Sequence, residues 1–341
     1  MTQPPRPPVR GLRRAAFVVL PAALAASLAG CAVGSTPTLA PRLQTTTADV
    51  ATPTFTPAAT PTVVAPGAYD TPSAGGVTFA PTASGRLDGK VIALDPGHNT
   101  VPIRSVNQKN VKYFGAGWRP CQNEGSTGLD KKTPEATLVW QITQQVMPLL
   151  REQGATVVVT RPDDNGTGPC NDERAEIANR ANADLLLSIH GDGNENQKNR
   201  GFFVIYSQRM VGGEQVQKAS KAAASMLVAD LTANTSIPVS NYMGSSLNGT
   251  IEQSNVLGVL NTMKTGPAIM VEVGNIIQPD DWAILSSKEG QEEMARALAI
   301  GAANIVLSTP DATASPSPGA SPSGAVSPTA SASVTPTAST T

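Results

Sequence analysis

Five stretches of the chain are nearly continuous in apolar residues: 90–96, 155–161, 184–190, 201–207 and 268–274. Their centres read VIAL, VVVT, LLLSI, FFVIY and AIMVEV, without the strict alternation of a half-exposed strand. Such runs predict strands covered on both faces, as in a parallel sheet held between helices. Between and beside them the apolar positions return at helical spacing. The clearest case is 134–153, where Leu138, Ile142, Val146 and Leu149 form one stripe. Thr133 reads as its N-cap, Pro134 as its first turn and Gly154 as its terminator. Pro148 removes a backbone donor late in this helix and predicts a kink. Segments 171–182, about 214–231 and 288–307 read as three further helices. Strands alternating with helices define the expected fold class: α/β, a single domain with a largely parallel central sheet flanked by helices.

Composition limits this domain to part of the chain. Ten of the 29 prolines lie within 86–308, leaving 19 outside it, whereas all three tryptophans lie inside. The expected organisation is a signal peptide over 1–30, a tether over 31–86, a catalytic domain over 87–308 and a tail over 309–341. The tether is rich in Thr, Pro and Ala and the tail in Ser, Pro, Thr and Ala, and neither has the apolar content to build a core. At the N-terminus Arg6, Arg10, Arg13 and Arg14 precede an apolar run over 15–29, short for a membrane span. The run ends in Leu28-Ala29-Gly30-Cys31, which resembles the lipobox of bacterial lipoproteins. That resemblance implies cleavage before Cys31, lipidation of its thiol and retention on the outer face of the cytoplasmic membrane. An ordinary secretory signal followed by a cysteine is the alternative, and it too exports the protein. The formal net charge of −1, with charged residues at 15%, gives no basis for a nucleic-acid surface.

Cysteine usage agrees with export. With Cys31 lipidated, Cys121 and Cys170 remain as an even pair in an oxidising compartment, and a disulfide between them is expected. It would close a loop of roughly 50 residues, contributing about 4 kcal/mol on a chain-entropy argument. A thiolate metal site is the alternative, but two cysteines supply too few ligands for one.

The candidate chemistry comes from the histidines. There are only two, His98 in VIALDPGHN and His190 in DLLLSIHGDGN, and each directly follows an apolar run. In open α/β sheets, ligands gather beyond the carboxyl ends of the strands. Glu272, inside AIMVEVGN, reaches the same edge. A carboxylate between Val271 and Val273 is costly to bury unless it is paired or working. Two histidines and a carboxylate are compatible with a hydrolytic zinc site, although each residue alone has an ordinary structural reading.

Taken in order, LDPGHN, a helix opening with glutamate and running to VVVTR, ANADLLLSIHGDGN and LGVLNTMKTGPAIMVEVGN resemble the zinc-dependent N-acetylmuramoyl-L-alanine amidases of the amidase-3 family. The likeness spans about 88–308, and PCQNEG with GPCNDERAEIAN is similar to actinobacterial members. The resemblance implies one Zn²⁺ held by His98, Glu135 and His190, with Glu272 as the catalytic base. It implies hydrolysis of the amide joining N-acetylmuramic acid to L-alanine of the peptide stem, so that peptidoglycan is the partner and the enzyme faces the cell wall. A monomer is expected. Glu124 also lies between the histidines, but eleven residues before Glu135 and therefore away from the family's spacing to Thr160-Arg161. SIHGDGN departs from the commoner S-I-H-A-D-A pattern at positions other than the ligand. Two other readings remain open: a zinc peptidase cutting within the stem, and a wall-binding lipoprotein without catalysis.

Overall fold

The computed structural model describes residues 76–309 except 162, 245–248 and 254–256, and describes only the backbone of 251–253. The leader, Cys31, the tether up to 75 and the tail from 310 lie outside these residues.

Seven strands form one sheet in the order β1-β5-β2-β6-β9-β7-β8. Its centre is β5 (Thr156–Val159), β2 (Val91–Pro96), β6 (Leu185–Asp192) and β9 (Ala268–Asn275), all mutually parallel. β7 (Phe203–Ser207) is antiparallel to β9, and β8 (Thr250–Gln253) runs parallel to β7 at the edge. At the other edge β1 (Val77–Phe79) pairs antiparallel with β5. This strand falls inside the segment expected to be tether, so the fold begins about ten residues earlier than composition suggested. Three residues are too few to show a period, and β1 exists because β5 offers it an unpaired edge.

The uninterrupted apolar runs have a direct explanation in the packing. Ile92, Leu94, Leu187, Ile189, Val271 and Val273 face one core. Ala93, Val158, Leu186 and Met270 face the other. Successive strand residues point to opposite faces, and here both faces are dry. The first face is covered by α2 (Glu135–Arg151), α4 (Gly213–Asn234) and α7 (Lys288–Ser308), and the second by α3 (Asn171–Arg180) and the short α5 (Gly258–Asn261). Among the described residues no helix is long and apolar enough to cross a membrane.

Helix α2 differs from expectation at its start, while Gly154, with φ 99°, ends it as expected. Its N-cap is Pro134, in extended conformation and without a side-chain cap, so that Glu135 is the first helical residue. Thr133 instead donates its hydroxyl to Asp130, 2.7 Å away. Pro148 sits within the helix, which continues to Arg151. Between β2 and α2 the chain builds α1 (Arg104–Asn107) and a two-stranded hairpin of β3 (Asn110–Tyr113) and β4 (Gly117–Pro120). Cys121, directly after β4, is disulfide-bonded to Cys170, directly before α3. The two sulfurs form a small satellite core with Val106, against which Val111 packs. The last short helix, α6 (Pro279–Leu285), is capped by the Gln278 side chain accepting from Asp281 N–H.

Candidate metal centre

Beyond the carboxyl ends of β2, β6 and β9 lies an open cleft of about 370 Å³, and His98, Glu135, His190 and Glu272 all line it. Each arrives by a different route. His98 comes two residues after β2 and adopts a left-handed backbone with φ 56°. That region is sparsely populated by non-glycine residues and costs of order 1 kcal/mol, so the surroundings must hold it. His190 lies within β6, and in the sheet register it stands opposite Glu272 of β9. Register neighbours on adjacent strands share a face, which brings the two side chains to one side of the sheet. Glu135 enters from the first turn of α2.

Three ligand atoms converge. Glu135 Oε1 is 3.0 Å from His98 Nε2 and 2.9 Å from His190 Nδ1, and the two ring nitrogens are 3.1 Å apart. The His98 Nδ1–H donates to the carbonyl of Asn123 at 3.2 Å. A carbonyl can only accept, so this bond selects the tautomer whose Nε2 lone pair faces the cluster. Glu135 is held through both oxygens: Oε1 accepts from Gly191 N–H at 3.1 Å and Oε2 from Ser126 N–H at 2.8 Å. Two glycines permit the approach. A Cβ on Gly97 would lie 2.2 Å from His190 Cε1, and one on Gly125 would lie 2.7 Å from His98 Cδ2.

The donor set fits zinc. Two imidazole nitrogens and a carboxylate oxygen are zinc's preferred non-thiolate ligands, and in a tetrahedral site with bonds of about 2.0–2.1 Å such atoms stand roughly 3.3 Å apart. The triangle seen here is only slightly tighter. Its electrostatics agree with a cation's place. Burial opposes the charged form of Glu135, yet the two imidazoles outweigh it and hold the carboxyl well below the usual range. Burial, helped by the neighbouring His98, lowers His190 and keeps its lone pair available. For His98 burial is outweighed by Glu135, and its pKa is raised.

Glu272 is in a different state. Its Oε2 is buried and without a hydrogen-bond partner. Burial first, then the nearby negative charges of Glu135 and Asp192, raise its pKa well above the ordinary value. Asp192 lines the same cleft and accepts a hydrogen bond from the Tyr242 hydroxyl. Glu124 also lines the cleft but is exposed and stands outside the His98–Glu135–His190 cluster.

Beneath the cluster is a buried polar layer that sequence reading passed over. Asp95 accepts from the Ser188 hydroxyl at 2.6 Å, from the Thr160 hydroxyl, and from Arg174 Nη1 at 2.7 Å. Burial works against its charge, but Arg174 and these hydroxyls prevail and its pKa is lowered. Arg174 also donates to the carbonyls of Pro169, Pro96 and His98 and to Asn99 Oδ1. Arg161 donates to the carbonyls of Pro96 and Ala136, tying β2 to the start of α2. One signal for Arg174 was present in the sequence. In NDERAEIANR it precedes Ile177 and Ala178 by three and four positions, which places a cation on the apolar stripe of α3.

Comparison with known proteins gives a consistent result. A family profile described as N-acetylmuramoyl-L-alanine amidase matches residues 92–304. The N-acetylmuramoyl-L-alanine amidase Rv3717 of Mycobacterium tuberculosis is 30% identical over 236 residues, covering 69% of this chain and 94% of the relative. The crystal structure of the amidase Ami1 from Mycobacterium smegmatis aligns with a TM-score of 0.61 at 32% identity, covering 65% of this chain and 99% of that one. Ami1 from Mycobacterium abscessus, solved in its apo form, aligns with a TM-score of 0.60 at 33% identity, covering 64% of this chain and 99% of that one. By the family match over most of the folded domain, and by these relatives, the chain belongs to the amidase-3 family of N-acetylmuramoyl-L-alanine amidases.

Proposed function

We propose that this protein is an exported, zinc-dependent peptidoglycan hydrolase that cleaves the amide between the lactyl group of N-acetylmuramic acid and L-alanine of the stem. The observation that carries the metal part of this reading is the convergence of His98 Nε2, Glu135 Oε1 and His190 Nδ1 within about 3 Å of one another. Zn²⁺ bound there supplies a Lewis acid that polarises the scissile carbonyl and makes water acidic enough to attack near neutral pH.

The remaining work falls to the chain. His98 and His190 contribute lone pairs, the former in a tautomer set by Asn123. Glu135, pinned by the Ser126 and Gly191 amides, holds its carboxylate toward the two imidazoles. Glu272 is the general base: it takes a proton from the attacking water and passes it to the departing amine of L-alanine. Its unpartnered Oε2 supports this role, since a structural carboxylate would be hydrogen-bonded. Burial does most to raise Glu272, and a cation at the cluster would offset the Glu135 charge that adds to it, moving Glu272 toward the range a base needs. Lipidation of Cys31 and a tether ahead of the domain would let it reach into the wall while remaining attached to the membrane.

Digestion of purified peptidoglycan by metal-free and by zinc-reconstituted protein, with the products identified by mass, tests the proposal. New L-alanine amino termini together with intact lactyl-muramic acid, formed only when zinc is present, are expected. Fragments cut within the stem would make the protein a peptidase, and equal digestion without metal would overturn the mechanism.

A further inference from the structure

The hairpin of β3 and β4 has no role in the chemistry above, yet it carries the largest exposed aromatic surface of the described residues. Trp118 is 66% exposed and Phe114 47%. Large aromatic rings are rarely left in water without a use, because covering them is strongly favourable. The hairpin register pairs Trp118 with Lys112, so these two side chains share its outer face. On the inner face Val111 packs against the disulfide cluster, and Tyr113 is buried.

Charge adds a second observation. From Arg104 to Pro120 the chain reads RSVNQKNVKYFGAGWRP, with Arg104, Lys109, Lys112 and Arg119 all exposed and no carboxylate among them. Exposed Arg209 packs its stem beside the hairpin turn at Gly115. In a chain of net charge −1 this is a local cationic patch. It is also a fixed one. The Tyr113 hydroxyl donates to the carbonyl of Pro120 at 2.9 Å, the Phe114 carbonyl accepts from Asn261 Nδ2 at 2.9 Å, and Cys121 is stapled to Cys170.

The hairpin is continuous with the cleft on two sides. The chain leaving it through Cys121 lines the cleft at Asn123–Ser126, while α5, on which Tyr113 rests at Gly258, lines it at Val259. We propose that the outer face of this hairpin binds the glycan strand of peptidoglycan. A sugar face stacks on the Trp118 indole, and Lys112 beside it on the same face meets the carboxylates of the stems. The inference rests on the amidase reading, because it takes the cleft's substrate to be one residue of a long acidic saccharide. An indole offers the C–H bonds of a pyranose face a large, electron-rich partner. The Lys112 ammonium complements the substrate's charge, and the position lets the polymer run from the cleft onto the hairpin.

The test uses the full chain, unsubstituted and as the single variants Trp118→Ala and Lys112→Ala. Each is made metal-free and co-sedimented with purified sacculi stripped of secondary polymers. Hydrolysis of a soluble muropeptide, too short to reach the hairpin, is measured in parallel on the zinc-loaded proteins. Trp118→Ala is expected to weaken sedimentation about tenfold, as loss of an aromatic anchor does. Lys112→Ala should weaken it at low salt and match the unsubstituted protein at high salt. Muropeptide hydrolysis should stay unchanged in every variant. Unaltered sedimentation by Trp118→Ala overturns the proposal, as does sedimentation only on sacculi that retain secondary polymers, or a parallel fall in muropeptide hydrolysis. If the unsubstituted protein sediments as expected but cleaves no muropeptide, the failure belongs to the amidase reading, and the hairpin surface stands.

Discussion

At the scale of single residues, the chemistry depends on how differently two glutamates of the cleft are held. Glu135 is locked through both oxygens beside two imidazoles, whereas Glu272 has a buried oxygen with no partner. On the proposed reading Glu135→Ala removes one of three ligands and is expected to lower zinc affinity by at least tenfold, while Glu124→Ala should leave it nearly unchanged. Competition with a chromogenic chelator measures both, and the reverse ranking would reassign the third ligand. On the same reading Glu272→Gln removes the proposed base and no ligand, so it should retain zinc but lose most turnover. It should also change the pH dependence of stability. A carboxyl whose folded pKa is raised binds more protons folded than unfolded, so stability falls as pH climbs above the ordinary value near 4.5. The metal-free Gln variant should therefore melt higher than the unsubstituted protein at neutral pH, with the difference vanishing below about pH 4.5. Equal melting temperatures across that range would show that Glu272 carries no such penalty.

At the scale of elements, the segment between β2 and α2 departs furthest from a reading of periodicity. It holds α1, β3 and β4, each of four residues, and a period of 3.6 or 2 leaves little trace over so short a span. These pieces are held by tertiary devices, chiefly the Cys121–Cys170 bond, the satellite core around it and the Tyr113 hydroxyl. Replacing both cysteines with serine is expected to cost about 2–5 kcal/mol in urea denaturation. Reductant should lower the stability of the unsubstituted protein by a similar amount and leave the variant unaffected. A variant as stable as the parent would mean that packing alone secures the segment. Helix α2 shows the same dependence on context. Its start was legible from Thr133-Pro134, but the hydroxyl expected to cap it bonds Asp130 instead. The first-turn glutamate is oriented by Ser126, in the loop before the helix, and by Gly191 of β6.

At the scale of the whole molecule, the long apolar runs made the sheet and its two helical layers readable, because a strand buried on both faces has no alternation to lose. What joins the layers under the site is the Asp95–Arg174 pair, which links β2, β6 and α3, with the Thr160 hydroxyl bonding it from the end of β5. Arg174→Gln would leave Asp95 buried opposite no cation and is expected to cost about 3–5 kcal/mol. Arg174→Lys keeps the charge but cannot span Asp95 and the carbonyls of Pro169, Pro96 and His98, so its cost should be smaller. Both variants should lower zinc affinity, since each frees the left-handed backbone at His98. Denaturation together with chelator competition separates the two effects, and a Lys variant with unchanged affinity would show that Arg174 serves stability alone.

The sequence by itself determined the α/β class, the strands at the centre of the sheet and the candidates His98, His190 and Glu272, while Glu135 came from the family resemblance. The first of these are local features: apolar runs, punctuation by Gly and Pro, and rare polar residues at or near strand ends. Only the tertiary structure decided the antiparallel β7, the edge strands β1 and β8, the tautomer of His98 and the buried layer around Asp95 and Arg174. Each of these is defined by a partner distant along the chain, an open sheet edge, a carbonyl from another loop or a guanidinium from another helix. No window of sequence contains both halves of such a contact.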